Sequence, residues 1–302
     1  MTTRIMCMCA IFAALVSSPV MAQEEGIAAG PNTGAVSFNL GVDFTTAYYY
    51  RGIAQQNQGL IYQPYADVSF QLTDALSVYL GTWNSVHSNT GAGTDGQWYE
   101  SDFFVGASFA LSECLTADLS YIWLNAPANT TADEFAQEIN LALSYDDSAL
   151  WGDSFDGLQP HVLVAFETSG GSDGIGGGHS KGIYYELGIA PSFVVVDSAS
   201  HPITLTVPVT LGLGSDYYEI GAGATLNDDT FGYVDAGLEF SMPLSCIPAQ
   251  FGSWSVTTGV HFLFLGDNAE AMNSSAGTLG GLGIGGGNDF EVIGTFGIGM
   301  SY

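Results

Sequence analysis

The stretch AVSFNLGVDFTTAYYY, residues 35–50, opens with a strict alternation: Val36, Phe38, Leu40, Val42 and Phe44 share one face, while Ser37, Asn39, Gly41 and Asp43 share the other. Successive side chains of a strand point to opposite faces, so this period of two predicts an amphipathic β-strand. IYQPYADVSFQL, residues 61–72, repeats the pattern, and only Thr73-Asp74-Ala75 separates it from the next alternating run. That spacing is a hairpin turn. Further runs follow near 76–87, 97–111, 115–125, 134–145, 158–169, 182–195, 203–214, 231–242, 254–265 and 289–302, twelve in all.

The connectors alternate as well. Those after odd-numbered strands are mostly long and rich in Gly, Asn, Ser and Asp, as in SNTGAGTDG and SGGSDGIGGGHS; those after even-numbered strands are mostly short, with DDSALWGDSFDG the exception. An even number of antiparallel strands with tight turns at one end and long loops at the other predicts a transmembrane up-and-down β-barrel, all-β, with short periplasmic turns and long extracellular loops. No segment after the N-terminus offers the ~18 uninterrupted apolar residues of a membrane helix.

The polar face fixes which way the barrel is turned. It collects Asp43, Asp67, Glu100, Asp102, Asp118, Glu134, Glu138, Glu167, Glu186, Asp235, Glu239 and Glu291, together with His161 and His261. A dry core would charge each unpaired carboxylate several kcal/mol of desolvation. Either the lumen is wet, or the fold is a soluble barrel with that face in solvent; the last strand favours the first, so these residues are expected to line a wet, acidic lumen, joined by the aromatics Tyr65, Tyr79, Trp83, Tyr184 and Tyr233, with the apolar face toward lipid. The last run, FEVIGTFGIGMSY, puts Phe290, Val292, Phe296, Ile298, Met300 and Tyr302 on one face. An amphipathic final strand ending on an aromatic resembles the signal read by the barrel-assembly machinery of the bacterial outer membrane, which makes that machinery an expected partner beside outer-membrane lipid and lipopolysaccharide.

Residues 1–22, MTTRIMCMCAIFAALVSSPVMA, combine an early Arg4, an apolar run and a small-residue end, the pattern of a secretory signal peptide. Residues 23–33 are then a short periplasmic segment and 34–302 a single barrel domain. Without the leader the chain keeps two cations, Arg51 and Lys181, against 31 Asp and Glu. Nucleic-acid binding, which rests on Lys and Arg at phosphates, is excluded on that balance. No cofactor is expected, apart from divalent cations at acidic loops, where they would bridge carboxylates to lipid phosphates.

From Asp43 to Val86 the chain reads DFTTAYYYRGIAQQNQGLIYQPYADVSFQLTDALSVYLGTWNSV. An aromatic-rich first strand, the turn Arg51-Gly52-Ile53 with Gln55, and the strand Gly81-Thr82-Trp83 with Ser85 resemble the TorF-type porin family of outer-membrane β-barrels. DLSYIWLNAP and EFAQEINLALSY resemble the family's middle hairpin, and the last hundred residues match only as generic barrel strands. The resemblance implies a porin of loosely defined substrate.

Enzyme chemistry finds little support. Outer-membrane lipid hydrolases place a Ser and a His two residues apart so that both share a strand face, whereas His87 and Ser88 are adjacent and point to opposite faces. His179 and His201 have no His or Cys at ligand spacing. The Gly-rich run 281–286 precedes a strand, with no helix to hold a phosphate, and Asn227-Asp228-Asp229 lacks EF-hand spacing.

Cys114 and Cys246 both fall in even-strand connectors, at the periplasmic end. An oxidising compartment permits a disulfide, yet those turns lie nearly opposite on a twelve-stranded ring, and a bridge needs Cα atoms within about 7 Å. Arg51 and Lys181 are both expected at the outer rim. Arg51 has two open roles there: a fork pinning the turn onto carboxylates, Tyr and backbone acceptors, or a positive gate before an acidic lumen. The function expected is passive diffusion of small cationic or neutral solutes, with no catalysis. The alternatives are a non-conducting structural or adhesion barrel and, behind it, a lipid hydrolase.

Overall fold

The computed structural model describes residues 34–89, 96–128, 134–151, 155–170, 181–220, 227–274 and 287–302. The expected signal peptide and periplasmic segment, His179 and the Gly-rich run 281–286 lie outside the described residues. The strands are β1 (Val36–Thr45), β2 (Tyr48–Tyr50), β3 (Ile53–Gln56), β4 (Ile61–Thr73), β5 (Leu76–His87), β6 (Trp98–Ala110), β7 (Leu115–Asn125) and β8 (Glu134–Tyr145). They continue as β9 (His161–Gly170), β10 (Ile183–Ile189), β11 (Ser192–Val196), β12 (Ile203–Thr206), β13 (Val209–Ile220), β14 (Asn227–Pro243), β15 (Ser253–Leu265) and β16 (Phe290–Ser301). One α-helix among the described residues, α1 (Asp267–Ser274), lies between β15 and β16.

Twelve of these strands close a ring in which every neighbour is antiparallel and consecutive: β1, β4 to β10, then β13 to β16, with β16 returning to β1 over Asn39↔Ser301 to Thr45↔Thr295. Closure leaves no unpaired edge, which is what lets a sheet stand in hydrocarbon. All twelve alternating runs of the sequence become barrel strands. β11 and β12 extend β10 and β13 on the turn side; the extension is set off from the ring at Ala190-Pro191 and Val207-Pro208, as expected where proline removes a ladder donor.

The barrel is apolar outside and polar within. Phe38, Leu40, Leu80, Phe103, Val105, Leu119, Leu141, Phe166, Leu187, Phe240, Phe264, Val292 and Phe296 are exposed on the outer wall, while Gln63, Ser85, Asp102, Glu138, Asn140, Glu186, Glu239 and His261 are buried. An apolar belt of this extent is stable only against lipid, so the fold is a transmembrane antiparallel barrel. No helix among the described residues is long and apolar enough to cross a membrane.

Cys114 and Cys246 are free thiols. They sit in the β6–β7 and β14–β15 turns, and four strands separate β7 from β14 around the ring. The turns stay on their own sides of the mouth, so the bridge does not form.

Candidate functional site

The lumen is occupied. After β1 the chain does not stay at the rim but turns inward as the β2–β3 hairpin. Its turn, Tyr50-Arg51-Gly52-Ile53, has positive φ at both central residues, 50° at Arg51 and 84° at Gly52. That is the type I′ geometry that matches strand twist in a two-residue hairpin. Gly52 suits it without cost, and a Cβ there would meet the Tyr233 ring at 3.1 Å. Arg51 pays roughly 1–2 kcal/mol for the left-handed conformation.

What offsets that strain is a clasp across the barrel. Arg51 Nη1 and Nη2 donate to Glu138 Oε1 and Oε2 on β8 at 2.8 and 2.9 Å, and Nη1 donates to the Tyr217 hydroxyl at 3.1 Å. The guanidinium carbon stands 4.1 Å from the Tyr184 ring centre, 4.9 Å from Tyr50 and 5.6 Å from Tyr217. Two parallel charge-assisted bonds and a stacked aromatic face are what arginine offers and lysine does not. The Arg51 and Glu138 side chains are 2% and 0% exposed, which corrects the expectation that Arg51 sits on the outer rim. Lys181 does remain exposed, bonded to the Thr168 carbonyl.

Further bonds fasten the hairpin along its length. Tyr48 donates to Glu100 Oε2 at 2.8 Å, Tyr99 to Gln55 at 2.5 Å, and Tyr218 to the Arg51 carbonyl at 2.9 Å. Helix α1 closes over it: Asn273 accepts from the Ala54 amide at 2.8 Å and donates to the Gly52 carbonyl at 2.9 Å. Tyr48 and Tyr50 pack into one apolar cluster with Trp83, Phe104 and Ile122, and Ile53 into a second with Tyr184, Tyr217, Leu263 and Met272. The expectation of a uniformly wet lumen is therefore corrected at the hairpin's level, where side chains fill the bore.

The acidic positions fall into groups. Glu100 and Asp102 are buried near the hairpin. Asp67 accepts from Asn39 at 3.0 Å, and Asp118 accepts from Tyr79 at 2.6 Å. Asp43 lies against Gly297, where an added Cβ would collide with it, and Tyr65 lies likewise against Gly41. His261 places Nδ1 2.9 Å from Asp235 Oδ2 and Nε2 3.0 Å from Glu239 Oε1, and His161 Nε2 is 3.6 Å from Glu186. Glu186 accepts from Tyr184, which also bonds Tyr233 at 2.8 Å. Glu167 accepts from the Gly182 amide and Glu291 from Asn288.

Glu134 departs from its expected place. Leu124 pairs with Ala136 and Asn125 with Glu134, leaving Phe135 as an extra residue that packs on Tyr99 at 5.5 Å. Such a bulge flips the phase of the strand. Glu134 then accepts from Gln137 and Ser169, in a cluster with the outward Tyr121, instead of lining the lumen.

One juxtaposition went unread in the sequence. Ser85 Oγ lies 2.8 Å from His87 Nε2 and accepts from Gln63 at 3.3 Å. The two residues have the i, i+2 spacing that puts both on one strand face. The neighbouring Ser88 accepts instead from the Leu60 amide. Ser85 and His87 are 0% and 2% exposed, under the stacked Tyr99 ring. No group of three or more His, Cys, Asp or Glu side chains among the described residues is arranged to hold a metal ion.

A family described as "Bacterial protein of unknown function (Gcw_chp)" matches residues 28–149 of the chain. No curated protein matches it. Among solved structures the chain is similar to LpxR from Salmonella typhimurium, at 10% identity and TM-score 0.43, covering 87% of this chain and 99% of that one. It is also similar to the β domain of the Bordetella autotransporter BrkA, at 10% identity, TM-score 0.42, and 90% and 99% coverage. The translocator domain of the autotransporter NalP from Neisseria meningitidis matches at 13% identity, TM-score 0.41, and 89% of each chain.

Proposed function

We propose that the protein is a porin-like channel of a Gram-negative outer membrane, of the TorF type, passing small cationic or neutral solutes and closed in this conformation by the β2–β3 hairpin. The observation that carries the reading is the balance of charge on the inner wall. Asp43, Asp67, Asp118, Glu186, Asp235 and Glu239 face inward, while Arg51, the one Arg or Lys inside the described lumen, is taken up by Glu138 and His261 stands between Asp235 and Glu239. A low-dielectric bore lined by one sign of charge concentrates counter-ions of the other. Assembly would proceed through the C-terminal strand ending at Tyr302, in lipid and lipopolysaccharide.

Planar-bilayer recording of the purified protein in a KCl gradient tests this. The expected result is a conductance whose reversal potential favours K⁺ over Cl⁻. Silence under all voltages sinks the channel, and anion selectivity sinks the acidic bore.

A non-conducting barrel is the second reading, favoured by the apolar packing on both sides of the hairpin. Catalysis is not part of the proposal, because the Ser85–His87 pair is sealed beneath Tyr99.

A further inference from the structure

The clasp around Arg51 has the form of a ligand site already filled. On the wall side it comprises the Glu138 carboxylate, held edge-on to the two terminal nitrogens of a guanidinium, the Tyr184 ring stacked 4.1 Å from the guanidinium carbon, and the Tyr217 hydroxyl. The cation they hold comes from a loop hairpin, not from the barrel wall. One step further along the same face of β8 stands Asn140, 2% exposed, with neither Nδ2 nor Oδ1 bonded to any described residue. A buried amide with both ends unpartnered is costly unless something fills it. It offers both a donor and an acceptor two residues beyond Glu138 on that face.

We propose that this wall is a recognition site for solutes bearing a guanidinium or amidinium group, and that Arg51 is the internal stand-in for that group, displaced when the solute binds. The inference rests on the channel reading and names its solute class. The chemistry selects the planar fork over a simple ammonium. Glu138 meets two nitrogens at once, and a flat delocalised cation stacks on Tyr184 where a tetrahedral ammonium would not. Displacement would exchange one bidentate pair for an equivalent one, so it costs the hairpin's other bonds and packing but strands no buried charge.

The test uses the full chain in detergent micelles, with butylguanidinium as probe and butylurea as its neutral isostere. In Arg51→Ala the vacated site is expected to bind butylguanidinium at least tenfold more tightly than butylurea by titration calorimetry, and adding Glu138→Gln is expected to abolish the difference. Equal binding of the two probes overturns the proposal. Should Arg51→Ala fail to fold, the hairpin itself reports, in a Cys114→Ser, Cys246→Ser background carrying Ile53→Cys. Butylguanidinium is expected to speed maleimide labelling of this buried position several-fold over butylurea, and equal rates overturn the displacement. Neither readout needs conductance. Selective binding by a silent barrel would refute the channel and keep the site, whereas conductance without selectivity would do the reverse.

Discussion

Arg51 stands in a backbone region that arginine avoids, at φ 50°, and its guanidinium is buried against Glu138. Strain at a turn persists only where surrounding contacts over-determine it, and here the bidentate pair, the Tyr184 stack and the Tyr218 bond to the Arg51 carbonyl do so. Breaking a buried pair from one side leaves an uncompensated charge, which costs about 3–5 kcal/mol. Glu138→Gln is therefore expected to lower the unfolding free energy of the refolded barrel, read from urea titration, by that order while raising its bilayer conductance, because the latch goes with the charge. A stable, silent Glu138→Gln would show that the hairpin is held without it. Of the two roles open to Arg51 from sequence, the clasp fits the geometry; the placement was not legible, because an Arg-Gly turn reads the same at a rim or inside a bore.

At the scale of elements, the barrel strands were legible because each must alternate to face lipid on one side and lumen on the other, and the twelve runs fall on the twelve ring strands. Four features escaped that rule: the β2–β3 hairpin, the β10 and β13 breaks, the Phe135 bulge and helix α1. Each answers to the interior it packs against. In α1, Asn268, Ala269, Met272 and Asn273 are buried against β3, β13 and β14, a pattern too short to stand out in eight residues. The long β8–β9 turn, which broke the short-turn rule, is organised by Asp147. Its carboxylate accepts from the Trp151 indole at 2.7 Å and from the Leu158 and Gln159 amides at 3.1 and 2.8 Å. Burial would push this carboxyl up, but those hydrogen bonds outweigh it and hold it below its ordinary value. The stability it supplies is then full above about pH 4, the unfolded value, and lost as pH falls through the lower folded one. Asp147→Ala should cost about 1–3 kcal/mol at pH 7, with the difference from wild type closing in strong acid. A constant difference across that range would assign the effect to packing.

At the scale of the whole molecule, the chain holds few cations for its 31 Asp and Glu. In an outer membrane with an anionic outer leaflet, the loop carboxylates would be repelled, and divalent cations bridging carboxylate to phosphate would relieve that repulsion. In lipopolysaccharide-containing bilayers the melting temperature is expected to fall on adding EDTA and to return with Mg²⁺, as a ligand bound only to the native state requires. Unchanged melting removes the bridge. The closed antiparallel barrel, its polarity and its turned-out apolar face follow from the alternation along the chain, because period-two alternation is a local property that lipid and lumen impose on every strand alike. That the first loop folds inward and sets Arg51 on Glu138 comes from the assembled ring. These residues are 87 positions apart, and no local pattern encodes which wall of a closed ring a loop will meet.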